Sequence, residues 1–327
     1  MVLNKSICVV VPCYNESKQI IRVLEAMPAF VDHVVVVDDC SNDDTVDKVT
    51  SYSSNEYNLT LERHSKNLGV GSAIHTGYMS ALDLKMDIVA VMAGDAQMDP
   101  ADLKSLIMPV AHEITDYCKG NRFKYEGGLG LIPKSRLIGN FVLSVLTKFV
   151  TGYWHVSDSQ TGYTAINQKG LSHIVKSGIY ESYGCPNDIL VTLNIAEMRV
   201  AEVPVNPLYG VGEVSSMKIS RIIFSISFLL FRLFIKRMVY KYMIATSHPL
   251  VVSYFLSFMC GLSSILLFVY CSYFSIINGV IPKPSLIVSS ISLVLSIQFL
   301  LSSMEMDFSF NRHLCVTNLD GKKNNNT

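Results

Sequence analysis

Charged side chains are scarce in this chain of 327 residues. Asp, Glu, Lys and Arg make up 17% of it, whereas soluble proteins usually contain about 25%. The two signs balance to a formal net charge of +0, so charge offers no argument for nucleic acid as a partner. The deficit lies mainly beyond about residue 220, and residues 249–282 contain no charge at all. We therefore expect a soluble part followed by a membrane region.

Paired cysteines are also missing. The eight cysteines are scattered along the chain without a C-x-x-C pair, which argues against a zinc site or a disulfide framework and for reduced thiols. The N-terminus has no signal-peptide pattern and leads directly into an apolar run at Ile7. We therefore expect the first two-thirds of the chain in the cytosol.

Two glycine motifs of nucleotide-binding proteins are absent. Gly69 and Gly71 precede a predicted helix, but no G-K-[ST] follows them, so the segment is not a P-loop. The first strand leads into Pro12-Cys-Tyr-Asn-Glu16 rather than G-x-G-x-x-G, which excludes a dinucleotide fingerprint. The glycine pair itself leaves two alternatives open, a backbone contact to phosphate or a simple turn.

Apolar runs alternate with helical patterns from residue 7 to about 92. This order predicts an α/β fold with a mainly parallel sheet. The runs begin at Ile7, His33, Leu59 and Ile88, and polar residues or glycine follow each of them. Ligands bind at the carboxyl edge of such sheets. A further strand over residues 199–205 contains Pro204, so we expect it to be an exposed last strand.

The segment Ile88–Pro100, IVAVMAGDAQMDP, is the centre of the predicted site. Asp95 and Gln97 alternate with small residues, so in an extended chain both side chains point the same way. Their oxygen atoms suit Mg2+ or Mn2+ held together with a substrate diphosphate. The alternative is that both are turn residues. Asp99 and Pro100 predict the start of a helix.

Four segments together resemble the successive motifs of family 2 glycosyltransferases of the GT-A fold. They are residues 10–16, 37–45, 67–71 and 94–100, and the resemblance spans roughly residues 6–205. With the apolar C-terminal region, the chain most resembles polyprenyl-phosphate glycosyltransferases. The resemblance implies that Asp95 and Gln97 hold the metal. It also implies a nucleotide site of Pro12, Tyr14, Glu16, Asp38 and Asp39, to which we add Gly69 and Lys218 as candidates; a turn role is the alternative for Asp39.

The same resemblance implies an acceptor side. Arg122 and Arg136 match arginines that receive the acceptor phosphate, and the loop between them is expected to cover the site. Asp158 lies in a D-x-x-T-G-[FY] motif, and Asp188 lies in an [ED]-D element whose first acid is replaced by Asn187. We expect Asp95, Arg122, Arg136, Asp158 and Asp188 to be the catalytic residues. One departure is Ala93, at a position where the family commonly has an acid.

The C-terminal third predicts a membrane anchor. Basic residues recur at helical intervals from Arg221 to Lys241, as in an interfacial helix, and two apolar runs follow. The predicted domains are a catalytic domain over 1–217, interfacial helices over 218–246, two transmembrane helices over 247–306 and a polar tail over 307–327, disordered from Asn311. The distribution of Lys and Arg predicts a cytoplasmic catalytic domain. A bacterial or archaeal plasma membrane is favoured over the endoplasmic reticulum.

The resulting prediction is an inverting, metal-dependent enzyme. It would transfer a sugar from a nucleotide diphosphate sugar to undecaprenyl or dolichyl phosphate, with membrane lipid around its anchor. Two alternatives stay open: transfer to a saccharide hydroxyl, for which Asp188 is the candidate base, and a non-catalytic nucleotide-sugar-binding protein, suggested by Ala93. The sequence also leaves open whether the chain forms a homo-oligomer.

Overall fold

The computed structural model describes residues 2–126, 134–208 and 219–319, without the side chains of residues 134–142 and 219–225. The chain divides into two compact units, Met1–Phe234 with His313–Thr327, and Ile235–Arg312. Each is described separately below. The boundaries of the four segments proposed from the sequence stay predictions.

The first unit is built on an eight-stranded sheet in the order β3-β2-β1-β4-β6-β5-β7-β8. Its strands are β1 Ile7–Cys13, β2 His33–Asp38, β3 Asn58–Arg63, β4 Ile88–Val91, β5 Tyr117–Asn121, β6 Thr164–Asn167, β7 Val200–Pro204 and β8 Cys315–Val316. Only β6 runs antiparallel to its neighbours, β4 and β5. The predicted α/β fold with a mainly parallel sheet is therefore confirmed.

Helices cover both faces of this sheet. In β1, Ile7, Val9 and Val11 belong to one apolar cluster and Cys8 and Val10 to the other, because successive side chains of a strand point to opposite faces. The helices of this unit are α1 Ile20–Glu25, α2 Thr45–Ser51, α3 Val70–Asp83, α4 Leu103–Ala111, α5 Lys134–Thr151, α6 Gln168–Ser177 and α7 Cys185–Ile195. α1 and α4 pack on the first cluster, and α3, α6 and α7 pack on the second.

Two expectations about the sheet edge were wrong. The strand β7 is not the last one, since β8 pairs with its residues Val200 and Ala201. The segment expected to be a disordered tail from Asn311 therefore contributes a strand. Pro204 is compatible with this position because β8 ends before reaching it, so its missing N–H disrupts no pairing on that side. Residues 320–327 lie outside the described part.

The second unit contains two long apolar helices, α9 Leu250–Asn278 and α10 Lys283–Asn311. They are preceded by α8, Ile219–Arg237, which begins in the first unit, and by a π-helix over Met238–Ala245. By length and composition, the segments Leu250–Asn278 and Lys283–Leu314 could each cross a membrane. Most of their large apolar side chains are exposed, as expected for surfaces that face lipid.

Serine side chains join α9 to α10. Ser257 and Ser296 each donate from their hydroxyl to the other's backbone carbonyl, at 2.9 and 2.8 Å. Ser264 and Ser289 do the same, at 2.9 Å in both directions. In lipid, helix association depends on close packing and such hydrogen bonds rather than on apolar burial. The serines therefore explain why these two apolar helices form a hairpin.

Candidate functional site

The carboxyl ends of β1, β2 and β4 are tied together by backbone hydrogen bonds. The N–H of Gly94 donates to the carbonyl of Pro12 at 3.1 Å, and the N–H of Asp39 donates to that of Cys13 at 2.9 Å. A Cβ atom built on Gly94 would lie 3.0 Å from the Cβ of Cys13, so this close approach favours glycine. The loops that follow the three strands are thus held at one edge of the sheet.

The loop after β4 turns sharply. Ala96 has φ 59°, so the chain does not stay extended and the alternation argument for Asp95 and Gln97 does not hold. Instead, the backbone N–H of Gln97 donates to Oδ1 of Asp95 at 3.0 Å. Both side chains are partly exposed. Asp95 and Gln97 are therefore held next to each other by a turn, and not by the extended chain that the sequence predicted.

Glu16 lies in the loop that follows β1. Its backbone N–H donates to Oγ1 of Thr45 at 2.9 Å, and the N–H of Asn15 donates to Oγ of Ser41 at 2.8 Å, which joins the loops after β1 and β2. Burial, and then the negative charges of Asp95 and Asp43, raise the pKa of Glu16 to about 7. The carboxylates of Glu16 and Asp95 are therefore close enough to repel each other.

The raised pKa of Glu16, caused first by burial and then by this repulsion, predicts a pH dependence of stability. Glu16 binds its proton more tightly in the folded chain than in the unfolded chain, so its favourable contribution is complete below its ordinary pKa and is lost as pH rises towards about 7. The variant Glu16→Gln cannot titrate. With EDTA present, we expect the wild-type melting temperature to fall relative to that of Glu16→Gln between about pH 4.5 and 7. If the melting temperatures of the two proteins changed in parallel over this pH range, the raised pKa of Glu16 would be contradicted.

Asp39 supports the loop before α3. Its carboxylate accepts from the backbone N–H groups of Leu68 and Gly69, both at 2.8 Å, and contacts Nδ1 of His64 at 2.8 Å. The N–H of Gly69 is therefore engaged by protein, and a Cβ on Gly71 would lie 1.9 Å from the carbonyl oxygen of Tyr180. These contacts favour the turn alternative for the glycine pair and for Asp39.

The other predicted nucleotide residues differ in accessibility. Asp38 is fully buried, and its carboxylate accepts from the N–H of Ser41. Pro12 is buried, whereas Tyr14 is 44% exposed. Tyr14, Glu16, Asp95 and Gln97 are thus the predicted residues whose side chains reach solvent along this edge.

Arg122 and Asp158 form a pair on the acceptor side. Nε and Nη2 of Arg122 donate to the two carboxylate oxygens of Asp158 at 2.8 and 2.9 Å. Burial alone would raise the pKa of Asp158, but its hydrogen bonds to Arg122 and the cations of Arg122 and Lys119 hold it below the ordinary value. The Asp158 side chain is 1% exposed and that of Arg122 is 23% exposed. Asp158 therefore orients Arg122, whose guanidinium remains partly accessible.

Sequence reasoning missed two residues that support this pair. Glu202, in the middle of β7, accepts from the backbone N–H groups of Ser157 and Asp158 at 2.8 and 3.1 Å. Lys119 on β5 is fully buried, donates to the carbonyl of Thr161, and has its pKa lowered to about 8, mainly by burial. The available signal for Glu202 was a charged residue in the middle of an otherwise apolar strand, since such residues are seldom buried without partners. Lys119 gave no such signal, because its strand also contains polar Asn121.

Asn187 and Asp188 lie in the first turn of α7, which begins at Cys185, and both are buried. Oδ2 of Asp188 accepts from the backbone N–H of Tyr180 at 2.9 Å. Oδ1 of Asn187 accepts from the hydroxyl of Thr147 at 3.1 Å. Asp188 thus helps to hold the loop that contacts Gly71. Because the carboxylate of Asp188 is already hydrogen-bonded to the backbone, Asp188 is disfavoured as the catalytic base.

Two predicted residues cannot be placed. Arg136 belongs to α5, but its side chain lies outside the described part, as does most of the loop expected to cover the site. Lys218 also lies outside the described residues. Their roles stay predictions.

The described residues contain no group of three or more His, Cys, Asp or Glu side chains suited to a metal ion. The nearby side chains are those of Asp95, Gln97 and Glu16. Two carboxylates that repel each other fit a divalent cation, because a cation would offset the repulsion that, after burial, raises the pKa of Glu16. The oxygen atoms of these three side chains therefore suit a hard metal ion that also binds substrate oxygens.

Comparison with known proteins identifies the family. Residues 8–175 match the family model described as Glycosyl transferase family 2. The chain belongs to glycosyl transferase family 2. The matched region includes the loops with Glu16, Asp39, Asp95 and Arg122, so the predicted family is confirmed.

Similar proteins of this family include enzymes named for lipid-phosphate acceptors. The chain is 27% identical over 219 residues to UDP-N-acetylglucosamine--dolichyl-phosphate N-acetylglucosaminyltransferase of Methanococcus voltae, covering 63% of this chain and 87% of that protein. It is 26% identical over 202 residues to undecaprenyl-phosphate mannosyltransferase of Micrococcus luteus, covering 60% and 81%. In each case the similarity covers under two-thirds of this chain.

Solved structures show the same fold. Glucosyl-3-phosphoglycerate synthase of Mycobacterium tuberculosis, crystallised with Mn2+, UDP and glucosyl-3-phosphoglycerate, superposes with a TM-score of 0.54 at 18% identity. The match covers 72% of this chain and 80% of that one. The predicted GT-A fold of this family 2 glycosyltransferase is therefore confirmed, and structural relatives of it bind Mn2+ and UDP.

Proposed function

We propose that this chain transfers a sugar from a nucleotide diphosphate sugar to a polyprenyl phosphate at the cytoplasmic face of a membrane. The observation that supports this most directly is the arrangement of one sheet edge. Acidic and amide side chains follow β1 and β4, and Arg122, held by Asp158, follows β5. A donor diphosphate with its metal suits the first group, and an acceptor anion suits the second.

On this proposal, Asp95 and Gln97 hold Mg2+ or Mn2+, and Glu16 supplies the second carboxylate that Ala93 does not. When bound, the ion would neutralise the departing nucleoside diphosphate. Tyr14 is exposed beside Glu16 and would contact the nucleoside. Relatives named for UDP-sugars and dolichyl phosphate support this choice of substrates.

The acceptor side favours a phosphate over a sugar hydroxyl. A hydroxyl acceptor needs a base, but Asp158 and Asp188 are both buried and hydrogen-bonded within the protein. A phosphate monoester is already ionised at neutral pH, since its second pKa is about 6. Arg122 would hold this phosphate while an oxygen atom of the phosphate forms a bond to the anomeric carbon of the donor sugar. The bond from that carbon to the diphosphate breaks, with inversion.

The membrane anchor suits this acceptor. A polyprenyl phosphate presents its headgroup at the membrane surface, and α8 with the π-helix contains basic residues before the first apolar helix. The excess of Lys and Arg in the segments that flank the two apolar helices supports a cytoplasmic orientation of the catalytic domain. The two apolar helices support contact with membrane lipid.

The test is transfer of label from nucleotide sugar to lipid. Membranes containing the full chain are incubated with undecaprenyl phosphate and each of several radiolabelled nucleotide sugars. We expect one donor to yield a lipid-extractable product that mild acid cleaves. EDTA should abolish its formation and Mn2+ or Mg2+ should restore it. A product found only on a saccharide would favour the alternative acceptor, and no transfer from any donor would overturn the proposed activity.

A further inference from the structure

Glu202 is a buried carboxylate on the acceptor side to which the proposed transfer assigns no role. It lies in β7, directly opposite Lys119 of β5 in the parallel register, and its side chain is fully buried. A buried charge is costly unless hydrogen-bond donors and opposite charges surround it. The groups that surround Glu202 therefore indicate what it does in this fold.

The carboxylate of Glu202 joins the two segments that contain the acceptor-side residues. Its Oε1 accepts from the backbone N–H groups of Ser157 and Asp158 at 2.8 and 3.1 Å. Its Oε2 accepts from Nδ2 of Asn121 at 2.6 Å and lies 3.3 Å from Nζ of Lys124. One oxygen thus holds the loop of Asp158, and the other holds the turn that follows β5.

These two segments meet at Arg122. Its backbone N–H donates to Oδ2 of Asp158 at 3.1 Å, in addition to the two hydrogen bonds from its guanidinium. Within the turn, Oδ1 of Asn121 accepts from the backbone N–H groups two and three positions further along, at 2.8 and 3.2 Å. The backbone and the guanidinium of Arg122 are therefore held by Asp158 and by the turn at Asn121, and Glu202 holds both.

The charge of Glu202 alone would act against binding of an anion. Glu202 is negative, so its field weakens the attraction between Arg122 and a phosphate. If Glu202 acted only through its charge, its removal would strengthen the binding of the acceptor. Its hydrogen bonds point instead to a geometric role, because a guanidinium must be correctly oriented to form paired hydrogen bonds with phosphate oxygens.

We propose that Glu202 is the positioning residue of the acceptor site. Through Asp158 and Asn121, it fixes the orientation in which Arg122 receives the acceptor phosphate. This inference rests on the proposed function, since it names the residue that sets acceptor binding in the same reaction. Glu202 acts through Arg122 and does not itself bind the substrate.

The test measures the KM of each substrate separately, with the full chain in detergent and undecaprenyl phosphate as acceptor. In Glu202→Gln, the amide nitrogen would face two donors in either orientation, so one of the two segments would lose its hydrogen bonds. We expect the KM for the acceptor to rise about tenfold, as for the loss of one hydrogen bond to a charged group. The KM for the donor and kcat should stay within about threefold, because Arg122 contributes to acceptor binding.

A double variant restores the network. Asn121→Asp together with Glu202→Gln exchanges the carboxylate and the amide, so that their hydrogen bond forms again in the opposite direction. Oε1 of the new glutamine can still accept from the N–H groups of Ser157 and Asp158. We therefore expect the acceptor KM of the double variant to return to within about threefold of wild type.

Asp116→Asn is the matched control. Asp116 lies just before β5, at the other end of the same two strands, and is also buried. It accepts from the backbone N–H of Arg199 at 2.8 Å and from Nδ2 of Asn167 at 3.0 Å, and it pairs with the Arg199 guanidinium. This variant should lower the melting temperature, as Glu202→Gln should, but leave the acceptor KM unchanged.

The outcomes distinguish this inference from the proposed function. An acceptor KM that is unchanged or lowered in Glu202→Gln, or raised equally by Asp116→Asn, would overturn the positioning role but not the proposed activity. If Glu202→Gln does not fold, the double variant decides, since a tenfold rise in its acceptor KM would overturn the positioning role. Absence of transfer by the wild-type protein from every donor would overturn both.

Discussion

Replacement of Asp95 by asparagine is expected to lower kcat about a thousandfold or more. Such a loss corresponds to about 4 kcal/mol of transition-state stabilisation. The substitution keeps the shape of the side chain and an oxygen that can accept from the N–H of Gln97, but it removes the negative charge that would hold the cation beside the leaving diphosphate. The measurement is the rate of label transfer to lipid by purified protein at saturating Mn2+.

Asp99→Asn is the matched control for this variant. Asp99 lies in the same loop and accepts from the N–H of Ala101 at 3.0 Å. Asparagine caps a helix as well as aspartate does, so the activity of the Asp99→Asn enzyme should stay within about threefold of wild type. Membrane insertion should be normal in both proteins. Full activity in Asp95→Asn would refute the metal assignment, whereas equal losses in both variants would indicate damage to the loop.

The variant Asp307→Leu is expected to lower the free energy of unfolding by about 3–5 kcal/mol. Nη1 and Nη2 of Arg237 donate to the two carboxylate oxygens of Asp307 at 2.8 and 3.0 Å, and both side chains are fully buried. The hydroxyl of Tyr242 and Nδ2 of Asn311 also donate to this carboxylate. Leucine would leave the guanidinium buried without its counter-charge. The measurement is unfolding of the full chain in mild detergent.

The double variant Arg237→Leu with Asp307→Leu separates charge pairing from packing. Replacing both members of a buried ion pair by apolar residues is often nearly neutral. We therefore expect the double variant to recover at least half of the stability lost by Asp307→Leu. A single variant as stable as wild type would show that the ion pair does not stabilise the second unit. Equal stability of single and double variants would show that the cost comes from packing.

The sequence predicted the strands most reliably where apolar runs are continuous. The runs from Ile7, His33 and Ile88 all became buried strands. It missed β5 and β6, because Tyr117–Asn121 and Thr164–Asn167 contain polar residues whose burial depends on distant partners. It also missed β8, since two residues are too short for a local pattern.

The sequence identified the candidate site residues from their types and from the order of the motifs that contain them. Their roles, however, depend on the hydrogen bonds that they form in the folded chain. Asp38 and Asp39 are adjacent in sequence and both buried, yet Asp39 supports the loop at Gly69 while Asp38 accepts from Ser41. For Asp95 and Gln97, the sequence indicated the correct pair for a reason that did not hold, because Ala96 turns the chain. Neither distinction is visible in a local pattern.

The sequence by itself determined the fold class, the family and the presence of two apolar helices, because apolar periodicity and short motifs are local properties of the chain. Only the tertiary structure decided that Asp158 orients Arg122 and that Glu202 supports Asp158. Arg122 and Asp158 are 36 positions apart, and Asp158 and Glu202 are 44 apart. Folding brings such groups together, and their charges and hydrogen bonds then depend on partners that neighbouring residues do not reveal.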